Sequence, residues 1–214
     1  MPVFRCRVSH VFEPSPPSLR ERTRLAVQAE LIDVAQGLFV ERGYEATTVD
    51  AIAEAAGLSK RSFFRYFGSK EDLVMGKYDA LRDQLKARLT ARPADEPAWT
   101  ALRRMFDDVI AYTADQINNA RMDAMERIVS TTPTLNAAYL QRLDQMQAEI
   151  ASIVRDREDA AGRTRADTDP TPEALVGAAF ACLSAARRLA ATPGNPPIDE
   201  LVDQAMSGLW TYRP

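Results

Sequence analysis

Histidine is almost absent from this chain of 214 residues, where His10 stands alone. That removes most metal-site and triad chemistries from consideration, because imidazole is the commonest metal ligand and the usual catalytic base. Cysteine is nearly as scarce. Cys6 and Cys182 cannot form a disulfide framework, and neither has a neighbouring ligand partner for zinc. Nine glycines are few for this length, which argues against glycine-rich phosphate loops and a turn-dense β fold. No cofactor is therefore expected, and no enzyme class is favoured. Long apolar runs are missing too. The longest, Ala174 to Ala186, has 13 residues including Ser184 before Arg187 and Arg188 end it, a length that suits a buried helix rather than a membrane span. Arg5 and Arg7 are followed by no apolar stretch, so no export signal is expected and the protein should remain in the cytoplasm.

What is present is an ordinary globular composition, 46% hydrophobic and 27% charged. The formal charge is 27 − 30 = −3. Many carboxylates, such as Asp107–Asp108 and Asp156 with Glu158 and Asp159, read as solvated helix faces, since no paired acid–base motif accompanies them.

Residues 1–18 lack helical periodicity and end in the proline cluster Pro14, Pro16, Pro17. They read either as a loose leader or as a basic arm, Arg5 and Arg7 with Arg20, Arg22 and Arg24 behind. From Leu19 onward the pattern is helical. Ile32, Ala35, Leu38 and Phe39 share one face, and Gly43 suits the helix end. Thr47-Thr48-Val49-Asp50 has capping-box form with Thr47 as the expected N-cap. Gly57 ends the short helix that follows, and Ser59 opens a third with Phe63 and Phe67 facing inward, broken by Gly68. A longer helix runs from Ser69-Lys70 to about Ala91. Alanine-rich amphipathic helices are then expected near 97–117, 119–131, 134–161, 171–192 and 197–212, with Ala160 to Pro170 as the clearest loop. The fold expected is all-α, about nine helices in two parts: a helix-turn-helix head over 19–84, with its motif near 47–67, and a helical domain over 85–214.

Two short helices joined at Gly57-Leu58-Ser59 match a helix-turn-helix. Between Gly57 and Lys70 stand Lys60, Arg61, Arg65 and Lys70 with no acidic residue, +4 within a chain of −3. Phosphate neutralisation dominates DNA affinity, and base reading needs a helix that can enter the major groove. Both requirements meet in this window.

These residues resemble the TetR-type bacterial transcriptional regulators. The likeness runs from about Arg24 to Leu81: Ile32, Ala35, Leu38, Phe39, Gly43 and Tyr44; then Thr47, Thr48, Val49, Ile52 and Ala53; then Ala56 to Ser59; then Phe64, Tyr66, Phe67, Lys70, Glu71 and Leu73. The resemblance implies that Lys60, Arg61, Ser62 and Phe64 face bases or adjacent backbone, and that Thr47, Thr48, Tyr66 and Lys70 hold phosphates. Phe64 departs from the tyrosine of many members, which leaves shape or a thymine methyl to read and no hydroxyl to donate. The resemblance further implies a homodimer on a palindromic double-stranded DNA operator, most simply a repressor, and a small-molecule effector bound in the second domain. The segment Met125 to Val154 is similar to the subgroup with an acyl-CoA-like ligand-binding C-terminal domain, which implies long-chain acyl-CoA as a candidate effector.

Trp99, Phe106, Tyr112, Met122, Met125 and Tyr139 are candidates to line that pocket; plain core packing is the alternative for each. Leu175 to Leu189 reads as a core helix or a dimer seam, and Phe180, Leu183, Arg187 and Leu201 are the interface candidates. Cys182 reads as a small buried residue. A DNA-binding dimer without a small ligand, controlled by a protein partner or by abundance, is the alternative function.

Overall fold

The computed structural model describes residues 18–211 apart from 115 and 193. The leader with Arg5, Cys6, Arg7 and His10 lies outside the described residues. Ten helical segments follow one another: α1 Leu19–Arg42, α2 Val49–Ala55, α3 Lys60–Phe63, α4 Lys70–Thr90, α5 Ala98–Met105, α6 Asp107–Ala114, α7 Gln116–Thr131, α8 Pro133–Ala160, α9 Thr171–Ala190 and α10 Ile198–Thr211. Among the described residues there is no strand. The all-helical expectation holds.

The expected helix over 97–117 is broken at Phe106 into α5 and α6. The Phe106 N–H bonds back to Arg103, three residues away, and Asp107 and Asp108 open α6 where carboxylates favour a helix start. Those two carboxylates are engaged rather than merely solvated. Asp107 takes Arg103 at 2.7 Å, and Asp108 pairs with Arg88 of α4. Glu158 corrects the sequence reading more sharply: it is buried and accepts two bonds from Arg163, at 2.9 and 3.0 Å.

Two apolar cores share α4. The first gathers Leu31, Phe39, Ile52, Phe63 and Leu73 to Met75, together with Met125 and Val129 of α7 and Leu135 of α8. The second begins further along α4, at Leu85 and Leu89, and takes in α5, α6, α8, α9 and α10. Gly76 lets α4 approach the head closely, since a Cβ there would meet Phe67 at 3.1 Å. At the far end of α4, the buried guanidinium of Arg157 donates to the carbonyls of Leu89, Arg92 and Pro93 at 3.3, 2.8 and 2.7 Å. A helix C-terminus leaves carbonyls without partners, and this side chain supplies one. Trp99 ties α5 to α10 by donating its indole N–H to the Met206 carbonyl at 3.2 Å.

Candidate nucleic-acid interface and interior cavity

The turn between α2 and α3 depends on Gly57, whose φ of 67° lies in the left-handed region that a Cβ disfavours. It lets the Leu58 N–H reach back to the Ala53 carbonyl at 2.8 Å and close α2. Ser59 then caps α3 by accepting from the Ser62 N–H at 3.1 Å. The expected helix to Phe67 is only one regular turn long. Arg65 and Tyr66 donate to carbonyls three residues back, so the segment tightens after Phe63 while Phe63 and Phe67 stay buried.

Four of the sequence candidates line one exposed edge. Arg61 is exposed and has no partner among the described residues. Lys60 is also exposed but pairs with Asp50 of α2 at 2.8 Å. Ser62 is partly exposed, its hydroxyl 3.0 Å from that of Ser59. Phe64 is 48% exposed and rests edge-on against Phe63. Arg65, absent from the candidate set, lies exposed beside Tyr66, with its guanidinium 5.5 Å from that ring. The spacing from Phe63 and Phe67 already puts Arg65 outside the buried edge of this helix.

Two candidates are corrected. Thr48, not Thr47, is the N-cap of α2, accepting from the Ala51 N–H at 3.1 Å. Thr47 is buried, and its hydroxyl donates to the Gly43 and Leu38 carbonyls at 2.8 and 3.3 Å. The cap moves by one residue because Thr47 is drawn inward by the end of α1, and the capping box with Asp50 does not form. Thr47 therefore has no free hydroxyl for a phosphate. Lys70 is a brace: its ammonium donates to the Tyr44 and Thr47 carbonyls at 2.7 and 3.1 Å and stands 4.0 Å over the Tyr44 ring. Tyr44 completes the knot by donating its hydroxyl to Glu71 at 2.7 Å. Burial and the adjacent Glu71 carboxylate push the Tyr44 phenol up, while the Tyr44 hydrogen bond holds Glu71 below its ordinary 4.5. Sequence spacing alone does not reveal this knot, whose partners lie 23 to 27 residues apart.

The second region of interest is a cavity of about 310 Å³ between α4, α6, α7, α8 and α9. Leu81, Val109, Met122, Leu143, Met146 and Leu183 give it aliphatic walls, and Tyr78, Tyr139 and Phe180 give it aromatic ones. Lys77, Glu126, Gln147, Ser184 and Arg187 add polar groups to its lining. Of the six pocket candidates, Met122 and Tyr139 line it. Phe106 is buried behind it, edge-on to Phe180 at 5.3 Å; Met125 belongs to the head core, Trp99 is fixed to α10, and Tyr112 is exposed. Phe180, Leu183 and Arg187 face the cavity, and Leu201 is buried in the second core. A helical stripe shows which residues share a face but not which neighbour covers it. Arg187 pairs with Glu126 at 2.6 Å, reaching Asp123 at 3.7 Å, and its Nε is buried without a partner. Burial holds the Lys77 ammonium below its ordinary range, with the Arg187 charge adding to the effect and Glu126 opposing it. Cys182 is buried, as expected, and burial pushes its thiol up.

Among the described residues no cluster of three ligating side chains could hold a metal, and no helix is long and apolar enough to cross a membrane.

Comparison with known proteins gives two family matches. Residues 31–75 match the model described as bacterial regulatory proteins, tetR family, and residues 96–214 match the MftR C-terminal domain. The chain is 38% identical over 149 residues to the HTH-type transcriptional regulator TcmR of Streptomyces glaucescens, covering 68% of this chain and 66% of that protein, just under two thirds of its length. It is 29% identical over 162 residues to the putative mycofactocin biosynthesis transcriptional regulator MftR of Mycobacterium tuberculosis, covering 72% of this chain and 75% of that protein. The fold is similar to that of Thermus thermophilus FadR, a TetR-family repressor in complex with lauroyl-CoA, with a TM-score of 0.53, 20% identity, and coverage of 87% and 96% of the two chains.

Proposed function

Because the chain belongs to the bacterial TetR family of regulatory proteins, with a C-terminal domain of the MftR kind, we propose that it is a sequence-specific DNA-binding transcriptional regulator. It acts as a dimeric repressor, released from a palindromic operator when an apolar or acyl-bearing ligand enters the second domain. The observation that carries the DNA reading is the exposed edge of α3: Arg61, without a partner among the described residues, beside a half-exposed Phe64, with Lys60, Ser62 and Arg65 around them. Arginine suits bidentate contact with guanine, and an exposed ring suits a thymine methyl. Thr48 and Tyr66 flank this edge and supply phosphate contacts, while Lys70 adds charge from within its brace.

In a two-fold dimer the paired edges address half-sites about 34–36 Å apart, one turn of DNA. A second copy would cover Leu189 and Leu209, which are 52% and 53% exposed on α9 and α10. The ligand reading is supported by the cavity rather than by the FadR complex, whose identity to this chain speaks for the fold alone. A cavity of about 310 Å³ also favours this reading over a dimer without a ligand. Helix α4 is the mechanical link, since Lys70 braces the head and Lys77, two turns along the same face, lines the cavity. Ligand and DNA then weaken each other reciprocally, by an amount that typically runs about 1–3 kcal/mol.

Selection of genomic fragments by the purified protein, repeated with long-chain acyl-CoA, tests this directly. A palindrome with half-sites one turn apart, lost on adding thioester, is the expected result. A palindrome that survives every ligand occupying the cavity would remove the switch. No enriched sequence at low salt would overturn the regulator itself.

A further inference from the structure

Among the described residues, one charge in the cavity has no direct partner. Lys77 lines it from α4, half-buried, and its ammonium has no hydrogen-bond or ion-pair partner among the described residues. It stands 5.8 Å from the centre of the Tyr78 ring. Beside it, Arg187 uses its terminal nitrogens on Glu126 and Asp123 and leaves Nε buried and unpaired. Glu126 is the single carboxylate in the lining, set against two cations, and its side chain is 52% exposed while that of Arg187 is 21% exposed. A desolvated ammonium without a partner is costly, and a bound anion removes that cost.

We propose that the cavity takes an organic acid with an apolar body, whose carboxylate is held by Lys77 with Arg187 behind it. The inference rests on the ligand-responsive reading above and sharpens it, because it places the negative charge next to the apolar body rather than on phosphates beyond a thioester. The six aliphatic wall residues and the Tyr78, Tyr139 and Phe180 rings accept the body. Gln147 remains for a second polar group on the ligand.

The test uses the full-length protein and isothermal titration calorimetry with two matched pairs, decanoate against 1-decanol and 2-naphthoate against 2-naphthamide. In at least one pair the acid is expected to bind about tenfold or more tightly than its neutral partner, the order a charged hydrogen bond supplies. Lys77→Met should bring that ratio to near one, and Lys77→Arg should keep most of it. Circular dichroism confirms that each variant is folded, and the wild-type ratios stand on their own if one is not. Equal binding within both pairs, no binding of any probe, or preference for decylammonium would overturn the proposal. Binding of decanoyl-CoA without either acid would also overturn it while leaving the thioester reading intact. Acids that bind but never alter operator affinity would instead break the switch and leave the carboxylate site standing.

Discussion

The edge that carries Arg61 and Phe64 and the cavity that carries Lys77 are assembled in different ways. Short-range bonds shape the edge: Thr48 to Ala51, Ser59 to Ser62 and Gly57 to Glu54 all span three residues. The cavity draws on five helices, from Lys77 on α4 to Arg187 on α9. Local hydrogen-bond chemistry decides the first, and packing between distant segments decides the second. Helix α4 belongs to both, since Leu73 to Met75 enter the head core while Leu85 and Leu89 enter the other.

That sharing predicts one cooperative unit, and the largest expected effects test it. Phe63→Ala in the head and Phe106→Ala in the second core should each cost about 3–5 kcal/mol, the usual range for a buried ring. Urea unfolding should remain a single transition in both variants when followed by circular dichroism. A separate early transition in Phe63→Ala alone would show that the head melts independently of α7 and α8.

Next in size are changes to the edge itself. Arg61→Ala should cost about 1–3 kcal/mol of operator binding and relax the preference at one base position. Lys70→Ala should weaken all sequences alike and lower the salt slope by about one, with a loss of thermal stability because its two carbonyl bonds go as well. Electrophoretic or fluorescence titrations at several salt concentrations separate the two. Equal, sequence-blind losses would break the assignment of Arg61 to base reading.

A smaller effect distinguishes the adjacent threonines. Thr48→Ala removes the α2 cap and should cost about 1 kcal/mol in thermal unfolding. Thr47→Ser keeps the hydroxyl that bonds to Gly43 and Leu38, and should leave DNA binding closer to wild type than Thr48→Ala does. The reverse order would return Thr47 to the phosphate contact.

The smallest effect concerns pH. Glu71 titrates below its ordinary 4.5 in the folded protein because Tyr44 donates to it, so the unfolded chain binds the proton more readily. The stabilisation is present above that ordinary value and is lost as pH falls through the lowered folded one. Tyr44→Phe should flatten this part of the acid limb, by less than about 1 kcal/mol because Glu71 is exposed. Identical acid limbs in wild type and variant would assign the slope to other carboxylates.

Much of the head was legible because its determinants are local. Gly57, Ser59 and the Phe63–Phe67 pair announce a turn, a cap and a buried face in order, and they occur where expected. The errors there were one residue or one turn in size. Thr47 lost the cap to Thr48 because the end of α1 offers its hydroxyl two carbonyls, and α3 shortened because three-residue bonds replaced four-residue ones. In the second half, Met122 and Tyr139 were found among the pocket candidates while Trp99, Met125 and Tyr112 went elsewhere. Phe180, Leu183 and Arg187, among the interface candidates, line the cavity.

The sequence by itself determined that this chain is helical and that an acid-free window with four cations lies on a helix-turn-helix, because propensity, caps and charge act over a few residues. It also determined the supply of apolar side chains for a second core. Only the tertiary structure decided that Lys70 braces a loop 23 to 26 residues away, that Arg157 completes the end of α4, and that Lys77 lines a cavity with no hydrogen-bond or ion-pair partner among the described residues. Each of those outcomes depends on which distant group arrives within about 3 Å of a charged atom, and hydropathy and spacing along one helix carry no such distance.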